Sequence, residues 1–105
     1  MTNLKNVTSV VQHIMENNER ARNDDDFLHL KVLELYGDAK GVDIHIMPVT
    51  KFLRDRTFYR FPPFESVRRT RQKVQEKNPW LKANANTQEH RKANEQTYRD
   101  YARGL

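Results

Sequence analysis

The chain has 105 residues, enough for one domain with a modest core. It is 36% hydrophobic and 31% charged, against about 45–50% apolar for an average globular domain (a figure that also counts glycine), which is polar but too regularly patterned for a disordered chain. The absence of cysteine excludes a disulfide framework and a cysteine-ligated zinc site, and no apolar run approaches the roughly 20 residues that a membrane span needs.

The net charge of +5 is unevenly spread. Residues 1–47 hold five Lys/Arg against eight Asp/Glu, a balance of −3; residues 48–82 hold ten against three, +7; residues 83–105 hold four against three, +1. Segregated charge of one sign costs self-repulsion, and an acidic partner is the usual reason for it, nucleic acid being the commonest.

The start, MTNLKNVTSVVQHIMENN, is interrupted by Gln12, His13 and Glu16 and is no signal-peptide core, so a cytoplasmic location is expected. Without secretion the sequon Asn6-Val7-Thr8 is a coincidence. Residues 4–16 form an amphipathic helix with Leu4, Val7, Val10, Val11, Ile14 and Met15 on one stripe. Asn17-Asn18 and the polar run to Asn23 read as a loop.

Asp24, Asp25 and Asp26 suit the start of a second helix over residues 26–36, because carboxylates cap free amides and face the positive end of the dipole. Phe27, Leu28, Leu30, Val32, Leu33, Leu35 and Tyr36 cover most of its circumference, which makes it central. Gly37 stands where a C-terminal stop belongs. In residues 38–47, Val42, Ile44 and Ile46 alternate with Asp43 and His45, the period-two pattern of an extended segment, though no partner strand is evident.

Pro48 can open a helix over residues 49–56 whose apolar face is Val49, Phe52 and Leu53. The TFYRFPP segment, residues 57–63, is a turn that its prolines keep out of a helix. The next helix spans residues 64–77, with a buried row of Phe64, Val67, Arg71 and Val74; Asn78-Pro79 ends it, and Trp80 and Leu81 are expected to fold back on the core. The last helix, residues 87–103, begins with Asn86 and Glu89 as a capping pair and stops at Gly104. Its apolar content is thin: Ala93, Tyr98, Tyr101 and Ala102. The expected fold is all-α, a compact bundle of four to five helices in one domain, with a helix-turn-helix-like unit at about residues 48–78 and a polar C-terminal helix.

That unit carries the functional reading. A short helix, a turn and a longer helix rich in Arg, Lys and Gln is the layout that places a second helix in the major groove. Arg68, Arg69, Gln72 and Lys73 could face base edges, since Arg pairs with guanine and Gln with adenine. Lys51, Arg54, Arg56 and Arg60 could grip phosphates. The turn is longer than the 3–4 residues or so of the standard unit, and the plainer alternative is a solvated charged face. The aromatic residues Phe52, Phe58, Tyr59, Phe61 and Phe64 interleave with Arg54, Arg56 and Arg60, a composition that stacks on single strands. The competing reading makes several of these rings core, with Tyr59 the exposed one.

The four histidines share no ligand spacing, and three consecutive aspartates point in different directions, so no metal or cofactor is expected. No nucleophile–base arrangement or phosphate-cradling glycine loop is present, so the protein is expected not to be an enzyme.

The segment FPPFESVRRTRQKVQEKNPWL, Phe61 to Leu81, and the ending Tyr98-Arg-Asp-Tyr-Ala102 resemble small accessory proteins of Gram-positive bacteriophages and prophages; residues 20–36, RARNDDDFLHLKVLELY, are similar in character. The resemblance covers about the last 45 residues. It implies a phage-encoded accessory protein acting in a host cell on nucleic acid or on a nucleic-acid-handling machine; the helix-turn-helix-like unit makes regulatory binding of duplex DNA the expected activity. The alternative is an inhibitor or adaptor, anti-CRISPR-like, that engages a host nucleic-acid-handling protein. A homodimer would suit palindromic sites, and no membrane is involved.

Overall fold

The computed structural model describes residues 6–102, apart from the side chains of Tyr98, Tyr101 and Ala102. The expected contribution of Leu4, the Gly104 stop and the tyrosines of the last helix lie outside what it describes. Six α-helices follow in order: α1 Val7–Asn17, α2 Glu19–Asn23, α3 Asp25–Ala39, α4 Val49–Asp55, α5 Phe64–Lys77 and α6 Ala85–Ala102, with a 3₁₀ turn at Pro79–Leu81 before the last. The all-α bundle is thus as expected, with one more helix than anticipated.

Mutual packing of α1, α3 and α5 makes the core. Val10, Val11, Ile14 and Met15 come from α1, Leu28, Val32 and Tyr36 from α3, and Val67 and Val74 from α5; Ala21, Phe61 and Leu81 close the gaps. The extra helix is α2, where a loop is expected. It is one short turn, carrying Ala21 into the core and packing on both α1 and α3. Five residues are too few to hold a helix by propensity alone, so tertiary contact holds it. Arg22 also ends α1, its Nε donating to the Met15 carbonyl at 2.8 Å and so satisfying an acceptor that the helix leaves open.

Asn6, the sequon asparagine, is the N-cap of α1, accepting from the Ser9 amide at 2.8 Å. Asp24 caps α3 through the Phe27 amide at 3.0 Å, and that amide is the main reason its carboxyl ionises below the usual range. Gly37 does not stop α3. The helix runs on to Ala39, and Gly37 is buried because the returning chain passes over it: an added Cβ would lie 2.7 Å from the Val42 carbonyl oxygen. The left-handed residue is Gly41, φ +72°.

The extended segment expected in residues 38–47 is instead a series of turns. Val42 donates to the Gly37 carbonyl at 2.8 Å, and the Asp43 side chain takes the His45 amide at 2.9 Å. Local acceptors capture the backbone that a strand would need, which is the usual behaviour of aspartate in turns. Ile44 and Met47 still reach the core, whereas Ile46 is exposed. His45 bonds Glu34 of α3 at 2.6 Å and pins the segment down.

The beginning of α6 is capped by Asn84, which accepts from Thr87 at 2.8 Å; the expected cap at Asn86 lies one residue inside the helix, whose first residue is Ala85. Of the pair after α5, Leu81 is buried and Trp80 is exposed.

A polar cluster joins the layers. Arg71, whose side chain is 8% exposed, forms a two-bond ion pair with Asp25 at 2.9 and 3.2 Å. Arg91 of α6 meets the same carboxylate at 3.3 Å and the Arg22 carbonyl at 3.1 Å. Gln75 accepts from Arg71 at 3.2 Å and donates to the carbonyls of Arg22 and Leu81. Among the described residues no buried side-chain polar atom lacks a partner.

Asp25→Ala strands a buried guanidinium and should cost about 3 kcal/mol or more, read as a lower urea midpoint; replacing the pair together, Asp25→Leu with Arg71→Met, should recover part of the loss. Gly37→Ala should lower the melting temperature by a penalty of about 1–3 kcal/mol from overpacking, although alanine favours a helix interior by roughly 1 kcal/mol.

Candidate nucleic-acid interface

Four of the eight expected contact residues lie on α4 and the turn after it. Lys51, Arg54, Arg56 and Arg60 are all exposed. One carboxylate accompanies them: Asp55, which takes Arg54 at 3.4 Å. This is a strip of four cations against one carboxylate within ten residues of chain.

The other four, on α5, divide. Arg68 holds Glu65 with two bonds, at 3.1 and 2.5 Å, and Arg69 reaches the same carboxylate at 3.2 Å. The Arg68 hydrogen bond is the main reason the Glu65 carboxyl ionises below its ordinary range, and Glu65 in turn raises the Arg68 guanidinium. Lys73 is exposed and Gln72 half-buried. The exposed residues of α5 therefore include Glu65 and Glu76 beside Arg69, Lys73 and Lys77, an excess of one positive charge. Arg68 and Gln72 turn instead toward α6, lining a groove with Arg91, Glu95 and Arg99, with the Asp25–Arg71 pair at its edge. Burial, followed by the nearby Arg71, lowers the Arg91 guanidinium. Arg91 and Arg99 had no signal in the sequence, because nothing in the periodicity of α6 says which of its sides faces the rest of the bundle.

The two helices of the expected helix-turn-helix-like unit occur in the right order, joined by residues 56–63. Their packing is light, since α4 buries no residue fully. Of its expected apolar face only Phe52 turns inward; Val49 and Leu53 are 72% and 54% exposed. Phe52 stacks on Phe61 at a centroid distance of 5.5 Å. Phe61 meets Tyr59 at 5.4 Å, and Tyr59 meets Phe58 edge-on at 5.3 Å. Phe61 is buried and Tyr59 half-buried, so the most exposed ring is Phe58, at 80%, rather than Tyr59; Phe64, expected in the buried row of α5, is also exposed at the start of the helix, and the row that is buried is Val67, Arg71 and Val74.

The turn closes through Tyr59 on the Asp55 carbonyl at 3.1 Å and Phe61 on the Arg56 carbonyl at 3.0 Å. Closing it sets Arg60 at φ 57°, the left-handed region that a non-glycine residue enters at a cost. His29 of α3 donates from Nε2 to the Pro62 carbonyl at 3.0 Å and packs its ring against Phe64, fixing the turn's exit. That histidine is structural, and His45 is held by Glu34. Among the described residues no three His, Asp or Glu side chains are grouped to hold a metal ion, and no helix is long and apolar enough to cross a membrane.

No protein-family model matches the chain, and no curated protein or solved structure is similar enough to count as a relative.

The strained arginine yields a stability test: Arg60→Gly should hold or raise stability, by up to about 1 kcal/mol, as relief of the left-handed strain offsets the added freedom of the unfolded chain. Arg60→Val should lower it, both read from denaturant midpoints.

Proposed function

We propose that this protein binds nucleic acid through phosphate contacts and catalyses no reaction, as a phage-encoded accessory protein that acts on DNA in its host. The observation that carries the proposal is the strip Lys51, Arg54, Arg56 and Arg60, exposed against the single carboxylate Asp55. A run of solvated surface charge generally mixes signs. A phosphate backbone instead rewards several unpaired cations at once through release of condensed counterions. Arg69 and Lys73 on the outward side of α5 add to the strip, whereas Arg68 and Gln72 are half-buried and line the groove beside α6. Phosphate binding thus has firmer support than base reading by α5.

A second reading is favoured by one specific observation. Ile46, Val49 and Leu53 present aliphatic surface beside the same cations, and aliphatic side chains are more useful against protein than against phosphate. That reading is the inhibitor or adaptor, anti-CRISPR-like, engaging a host nucleic-acid-handling protein.

The test is fluorescence anisotropy of a labelled random-sequence duplex across a salt series. Neutralising about four phosphates gives a slope of log K against log salt near −3.6. The triple variant Lys51→Glu, Arg56→Glu, Arg60→Glu should lose at least tenfold in affinity and flatten the slope, and Arg69→Glu with Lys73→Glu should weaken binding less. Absence of binding at low salt would overturn the proposal in favour of a protein partner.

A further inference from the structure

Phe58 is a large apolar ring left 80% exposed on a turn that the rest of the structure holds firmly. The hydrophobic effect alone would bury such a ring, and its sequence neighbours Tyr59 and Phe61 do turn inward. Behind it runs a continuous aromatic series: Phe58 edge-on to Tyr59, Tyr59 to Phe61, and Phe61 stacked on Phe52. The series ends in the core, with Phe61 among the buried residues. The Phe58 ring is therefore outward, with its ring contact made edge-on to the half-buried Tyr59. Arg56 and Arg60 stand two residues to either side, both exposed, and the backbone hydrogen bond from Phe61 to Arg56 closes the loop between them.

We infer that Phe58 is a base-stacking platform, and that the preferred ligand of this surface is a single-stranded nucleic acid whose phosphates run along Arg56, Arg60 and Lys51. The inference rests on the nucleic-acid reading above and narrows it. A stacked base inside a duplex has no free face to offer, whereas an unpaired base does, and a ring flanked by cations supplies both terms of single-strand binding. The platform is preorganised: the Tyr59 and Phe61 contacts already fix the turn, so little ordering accompanies binding. The left-handed Arg60 belongs to the same device, because closing the turn tightly enough to present Phe58 demands that backbone angle.

The experiment compares a labelled oligothymidylate of about 20 nucleotides with a duplex of equal length, using the full chain. The expected result is tighter binding of the single strand. Phe58→Ala should then weaken single-strand binding about tenfold, leave duplex binding within twofold, and leave the melting temperature unchanged because the ring is exposed. In a Trp80→Phe background, Phe58→Trp should retain affinity, and its indole fluorescence should be quenched as the oligonucleotide is added. Equal affinity for both ligands, with Phe58→Ala indifferent and the indole unquenched, would remove the platform and leave the phosphate strip standing. Absence of binding to either ligand at low salt would remove the nucleic-acid reading itself, and the platform with it.

Discussion

A single carboxylate, Asp25, sets how the layers of this protein meet. It sits in the first turn of α3, where aspartate is favoured for local reasons, and there it accepts a two-bond ion pair from Arg71 of α5 and a third bond from Arg91 of α6. A guanidinium as buried as that of Arg71 needs a matched partner to offset its desolvation, so the packing of α5 on α3 is tolerable only in the register that brings the two together. Gln75 and the Arg22 carbonyl complete the cluster and draw in α2 and the 3₁₀ turn. Such a pair adds little net stability over a well-packed apolar alternative. What it supplies is selection among arrangements, since sliding or rotating α5 would leave charge buried and unmatched.

The same cluster changes what the charge count means. Ten cations against three carboxylates suggest a strongly basic second third of the chain. One of those ten, Arg71, is matched by an aspartate 46 positions earlier, and Arg68 and Arg69 share Glu65. The cations outside those pairs divide between α4 with its following turn, where Lys51, Arg56 and Arg60 stand beside the Arg54–Asp55 pair, and the stretch Lys73, Lys77 and Lys82. The proposed function gives more weight to the first group, because its four cations lie within ten residues of chain against one carboxylate. The long helix is engaged mainly in holding the bundle together.

The region of α4 also departs from the logic of the core. Its apolar stripe is split: Phe52 faces Phe61, while Val49 and Leu53 face outward with Ile46. A seven-residue helix with no fully buried residue has little stability of its own. It is held at its middle by Phe52 stacked on Phe61 and beyond its C-terminus by a turn locked through His29 and Pro62. The proposed function uses this combination of exposed apolar groups and exposed cations. The scaffold is α1, α3 and α5, and the proposed surface lies on the connection between α3 and α5.

Read alone, the sequence determined the helical class, the bounds of α5 from Phe64 to Lys77, the aspartate cap of α3, and the placement of Arg71 in an otherwise apolar row. Each of these depends on neighbours within a few residues, through the 3.6-residue period and local capping. Only the tertiary structure decided the rest. It turned residues 42–47 into turns because Asp43 and Gly37 captured their amides. It made a helix of residues 19–23 because α1 and α3 leave room for Ala21. It buried Gly37 under the Val42 carbonyl and chose Phe58 over Tyr59 as the exposed ring. Which cation is neutralised, and which ring is left outside, depends on partners tens of residues away. The physical reason is that desolvation and pairing are properties of where chain segments meet, and a one-dimensional pattern records only which side of a helix is apolar.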